Sequence, residues 1–88
     1  MARGRRNYTA AEQRFQRQLG DQIRTLRKEA GLVQDDFADR ASLDRSAMSP
    51  MELGRSDMRL STLLRVAGTL NIRVDELLTK VLDSEVMD

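Results

Sequence analysis

The sequence predicts an all-α fold, a compact bundle of five short helices in one domain. Three observations carry that prediction. Apolar residues recur three and four apart through most of the chain, the spacing of one helical face. Aromatics are only 3% and there is a single proline among the 88 residues, which argues against strands. Gly31, Gly54 and Asn71 break the periodic stretches at short intervals, so the helices are short and their connections shorter. A chain of this length supplies one modest hydrophobic core.

Thr9-Ala-Ala-Glu12 has the form of a capping box, in which each side chain satisfies a backbone N–H at a helix start. The first helix follows it, with Phe15, Leu19, Ile23, Leu26 and Ala30 on one face and Gly31 as a left-handed stop. Gly20 weakens its middle, so the segment is either one helix or a frayed turn leading into a firmer one. The second helix covers about Gln34 to Ala41. Val33 stands where a capping Ser or Thr would, a loss of about 1 kcal/mol. Asp44 is expected to cap a third helix that Gly54 ends. Pro50 falls inside that helix, where it would delete a backbone bond and cost about 3 kcal/mol or kink the axis. Ser49-Pro50-Met51-Glu52 is itself a capping box, but Gly54 leaves a restarted helix scarcely one turn. The expectation is one helix, bent or 3₁₀-like near residues 46–50, with Met48 and Met51 in the core.

After a polar loop, Arg55-Ser-Asp-Met-Arg59, a fourth helix carries Leu60, Leu63, Leu64, Val66, Ala67 and Leu70. A fifth begins near Val74 and carries Leu77, Leu78, Val81 and Leu82. The resulting plan is a basic, flexible arm over residues 1–8, a domain over 9–82, and an acidic tail over 83–88.

Composition excludes several functions. There is no Cys and no His, which removes disulfides, thiol chemistry, the usual zinc sites and the commonest general base. No His can activate a Ser, so a serine hydrolase triad is excluded. No catalytic constellation, metal site, cofactor or small-molecule ligand is expected, and the protein is read as no enzyme. No apolar run approaches the ~18 residues that span a bilayer, and no signal-peptide core follows the basic start. A cytoplasmic protein with no membrane partner is expected. Net charge is +1, but residues 1–34 hold eight bases against three acids and residues 35–88 seven against eleven. The basic end, with Arg3, Arg5 and Arg6, suits an arm that tracks phosphates or enters a minor groove.

Residues 33–54 carry the functional signal. Phe37, Ala38, Ala41, Leu43, Met48 and Met51 are apolar, and small or polar residues fill the bend between two short helices. That is the layout of a helix-turn-helix (about residues 34–53), whose second helix lies in the major groove of double-stranded DNA. The chain from Leu19 to about Leu82 also resembles the Cro and phage-repressor type of helix-turn-helix, the xenobiotic-response-element family, with its lambda-repressor-like domain. The matching elements are Ile-Arg-x-Leu-Arg-Lys-Glu-Ala-Gly-Leu (23–32), Gln34-x-x-Phe-Ala38, Leu43-x-Arg-Ser46, Glu52-x-Gly54-Arg55 and Leu60-x-x-Leu-x-x-Val-Ala67. Each piece is weak alone, but the ordered set at this spacing is specific. Ser42-Leu-Asp-Arg-Ser46 at the turn is most similar to restriction–modification controller proteins, small homodimers of one such domain.

The resemblance implies roles for particular residues. Gln34 would hydrogen-bond a DNA phosphate at a helix start whose free N–H groups suit an anion. Arg45 and Ser46, with Ala47 and Ser49, would meet base edges; Arg45 can hold guanine O6 and N7 with two hydrogen bonds. Arg55 would touch a phosphate from the following loop, with Arg59 and Ser56 as weaker candidates. Arg27 and Glu52 match an ion pair that joins the third helix to the first, a structural role. Met48, Met51 and Met58 are core fillers. Leu77, Leu78, Val81 and Leu82 present more apolar surface than a short terminal helix usually hides, so a two-fold dimer through them is expected. The reading is a sequence-specific, homodimeric and autoregulatory transcription regulator on a roughly palindromic operator. The alternative is a protein-interaction module or antitoxin-like partner, favoured by Pro50 and the acids Asp35, Asp36 and Asp39.

Overall fold

Thr9 caps the first helix as predicted. Its hydroxyl accepts from the Glu12 N–H and the Glu12 carboxylate accepts from the Thr9 N–H, at 3.0 and 2.9 Å. In the computed structural model, which describes residues 7–86, five α-helices follow in order: α1 (Ala10–Glu29), α2 (Gln34–Arg40), α3 (Met48–Glu52), α4 (Leu60–Thr69) and α5 (Val74–Val86). The arm candidates Arg3, Arg5 and Arg6 lie outside the described residues. Helix α5 runs past residue 82, where the sequence reading ends the domain.

Four of the connections end a helix in the same way. At Gly31, Ser42, Gly54 and Asn71 the backbone turns left-handed. In each case the next N–H reaches back five residues in a Schellman turn, as from Leu32 to the Arg27 carbonyl and from Arg55 to the Pro50 carbonyl. Two of these positions carry glycine, which bears no Cβ penalty there; Ser42 and Asn71 hold the same conformation with a side chain.

Helix α1 is continuous through Gly20, and the structure gives the glycine a purpose. A methyl at Gly20 would lie 2.5 Å from the Met51 carbonyl oxygen and 2.7 Å from that of Glu52. The missing side chain lets α1 approach the backbone of α3 directly. Helix α1 also packs against α5, so it is the central element. Ile23, Phe37, Met48, Val66, Leu77 and Val81 are completely buried between these helices, and burying a side chain the size of Phe37 is worth about 2–3 kcal/mol. Met48 and Met51 fill the core as expected, with Met58 packed against its edge.

Two expectations about α5 and α3 are corrected. Leu77 and Val81, assigned to a dimer interface, are 0% and 1% exposed in the single chain, because α1 covers their face of α5. Neither can meet a partner. Asp44 has the extended backbone of a capping residue, but its side chain makes no capping hydrogen bond.

The proline is accommodated upstream. A 3₁₀ turn over Arg45–Ala47 precedes α3, with Ala47 N–H bonded to the Asp44 carbonyl. This makes Ala47 the residue before α3 and puts Pro50 at its third position. The first four N–H groups of an α-helix have no intrahelical acceptor, so the one Pro50 lacks is not missed. The tight turn therefore sits at 45–47, just ahead of the proline, and Ser49 lies inside the helix and starts no new one.

Candidate nucleic-acid interface

Helices α2 and α3, with the bend between them, form the helix-turn-helix, and one buried ion pair fixes α3 to α1. Arg27 donates from Nε to Glu52 Oε2 at 2.6 Å, from Nη2 to Glu52 Oε1 at 3.0 Å, and from Nη1 to the Leu32 carbonyl at 2.7 Å. Both residues are almost wholly buried. The Glu52 hydrogen bond, reinforced by its charge and opposed by burial, raises the Arg27 pKa above its ordinary value. Placement helps as well: Arg27 sits in the last turn of α1, where a cation suits the helix dipole. Glu52 ends α3, where an anion does not, and Arg27 neutralises it.

The same carboxylate orders the outer surface. Gln34 donates from Nε2 to Glu52 Oε1 at 3.1 Å, and Ser49 Oγ donates to Gln34 Oε1 at 3.4 Å. A chain of hydrogen bonds thus runs from the buried Arg27 through Glu52 and Gln34 to Ser49 on the surface. Gln34 is half-buried at the first position of α2, with an amide hydrogen left for an outside acceptor.

Arg45, Ser46, Ala47 and Ser49 are all exposed, as base-reading residues must be. Arg45 also has a partner that the sequence did not suggest: its Nη1 donates to Asp35 Oδ2 at 3.1 Å, across the bend from the second position of α2. Both side chains are mainly in solvent, so the pair contributes little to stability. Its consequence is positional: in the free protein it holds Arg45 beside the start of α2. Exposed Val33 and Leu53 add apolar surface to this unit. Arg55 and Arg59 lie exposed in the loop after α3, and Arg59 is also the residue before α4.

A second exposed feature lies on α4 and α5. Leu60, Leu64 and Leu82 are 69%, 57% and 49% exposed. Leu64 shares a shallow apolar groove with Ile72, Val74 and Leu78. Of the four residues assigned to a dimer, Leu78 and Leu82 keep an outward face. The exposure of Leu60 and Leu64 was not foreseen, although α4 carries more apolar residues than one buried stripe accommodates. Among the described residues there is no cluster of three or more acids with metal-ligand geometry, and no helix is long and apolar enough to cross a membrane.

A helix-turn-helix domain family covers residues 18–78. The chain belongs to that family. It is 43% identical over 56 residues to the immunity repressor protein of Bacillus phage phi105, which spans 64% of this chain and 39% of the repressor. The chain thus accounts for well under half of that relative's length. The restriction–modification controller protein C.AhdI of Aeromonas hydrophila is 34% identical, with a TM-score of 0.67 over 69% of this chain and 92% of its own. The hypothetical transcription factor NHTF of Neisseria is 30% identical, with a TM-score of 0.70 over 76% of this chain and 75% of its own. The likeness to the Cro and phage-repressor type, read from the motifs, is therefore found in both sequence and structure. These helix-turn-helix regulators and repressors are not enzymes.

Proposed function

We propose that this protein is a sequence-specific DNA-binding transcription regulator that acts as a homodimer on a roughly palindromic operator, including its own. The observation that carries the reading is the joined network Arg27–Glu52–Gln34–Ser49, which ties the surface of α3 rigidly to the scaffold. A reading helix must be held to within a fraction of an ångström, and a buried bidentate pair does that. Arg45, Ser46, Ala47 and Ser49 are the proposed base-edge contacts, and Gln34, Arg55 and Arg59 the proposed phosphate contacts. Arg3, Arg5 and Arg6 would extend the phosphate contacts from the arm. The phage repressor and controller-protein relatives support the regulatory role, and a regulator that reads DNA would work in the cytoplasm.

One recognition helix offers only a few base contacts, each worth about 1–3 kcal/mol of discrimination. Two copies about one DNA turn apart roughly double that. The exposed strip of Leu60, Leu64, Leu78 and Leu82 supports a second copy as the partner. With dimerisation coupled to occupancy, the protein responds to its own concentration. Electrophoretic shift with duplexes selected from a random pool, and with the DNA upstream of its own gene, tests the reading. A folded dimer that shifts no duplex at low salt would remove it and leave a protein-binding module.

A further inference from the structure

The first two turns of α1 precede the residues that the helix-turn-helix family covers, yet they are built firmly into the domain. Phe15 packs against the core. Tyr8 donates its hydroxyl to Asp57 Oδ2 at 3.3 Å, in the loop after α3. Gly54 meets the backbone of Arg17 so closely that a methyl there would lie 2.5 Å from the Arg17 Cα. These contacts create a cleft between the start of α1 and the end of α3, lined by Tyr8, Gln13, Gln16, Arg17, Leu53 and Arg55. Two arginines and two glutamines line it, Gln13 donating to the Tyr8 carbonyl at 3.2 Å, and no acidic residue does. Of the nearby acids, Glu12 caps α1 and Asp57 accepts from Tyr8, and neither lines the cleft. Among the described residues, neither Arg17 nor Arg55 is held in an ion pair.

We infer that this cleft is a further DNA-backbone site, in which Arg17 and Arg55 together hold a phosphate flanking the bases read by α3. The inference rests on the proposed regulatory reading and adds to it a contact from outside the family's shared domain. Charge selects the ligand: a cleft of guanidinium and amide donors without a carboxylate suits an anion. Position selects its source, because Leu53 and Arg55 immediately follow the recognition helix. Tyr8, which follows the basic segment 3–6 in the sequence, lines this cleft.

The test is the salt dependence of binding by the full chain, measured on a duplex it selects and on a mixed-sequence duplex. Loss of one phosphate contact lowers the slope of log affinity against log salt by about 0.9, an affinity loss of about eight-fold near 0.1 M salt. Arg17→Gln should show that loss equally on both duplexes, and Arg17→Lys, which keeps a point charge, should retain the wild-type slope. An unchanged slope for Arg17→Gln overturns the inference, as does a loss confined to the selected duplex, which would make Arg17 a base reader. If the wild type binds neither duplex, the regulatory reading itself fails.

Discussion

Glu52→Ala is the most informative single change, because one carboxylate supports both the fold and the proposed reading surface. Its removal takes away two of the three hydrogen bonds of Arg27 and leaves a buried guanidinium with only the Leu32 carbonyl. Breaking a buried pair by deleting one partner costs about 3–5 kcal/mol, since the other charge remains desolvated. An 88-residue domain has a total stability of about 4–13 kcal/mol, so the loss is a large part of the whole. At about 4–8 °C per kcal/mol for a domain of this size, Tm should fall by about 12 °C or more. Circular dichroism melts and urea titrations of the wild type and variant measure it. The double variant Arg27→Met/Glu52→Leu removes both charges and should recover most of the loss, as apolar replacements of buried pairs commonly do. A cost below about 1 kcal/mol for Glu52→Ala would place the pair with exposed ones and refute the argument.

Five other changes probe separate links. Gly20→Ala should destabilise by about 1–3 kcal/mol in urea titration, because the added methyl meets the α3 backbone; the gain of about 1 kcal/mol in helix propensity does not offset it. Ser42→Gly should stabilise by about 0.5–1 kcal/mol in the same assay, since Ser42 holds a φ of 57° that glycine adopts without strain. Arg45→Ala should relax base preference at one operator position by about 1–3 kcal/mol without moving Tm, whereas Asp35→Asn should strengthen binding to every duplex by freeing Arg45 and removing a negative charge. Both are read by fluorescence anisotropy on single-base operator variants. Leu64→Glu should shift the protein from dimer to folded monomer in sedimentation, because this side chain is more than half exposed in the single chain.

Local chemistry was the legible part of the sequence. The Thr9–Glu12 box, the Gly31 and Gly54 stops and the uncapped Val33 all behave as their side chains require. The Arg27–Glu52 pair was legible only through family resemblance, since no local rule joins residues that far apart. Pro50 was readable as a conflict whose resolution was nearly placed: the helix tightens to 3₁₀ just ahead of the proline, so that its missing N–H falls where none is needed. Features that depend on what lies across an interface were hidden. Periodicity showed that Leu77 and Val81 share an apolar face, but not that α1 covers it. Gly20 looked like a weakness until the backbone of α3 was seen against it. Asp35 looked like a mark against DNA binding, and the structure gives it Arg45 as a partner.

The central claim is that two copies of this helix-turn-helix read DNA together. A hydroxyl-radical footprint on a duplex selected by the full chain tests it most directly. The account predicts two protected patches related by a dyad, centred about one DNA turn apart. A single unsymmetrical patch, or uniform protection on every sequence, would contradict it.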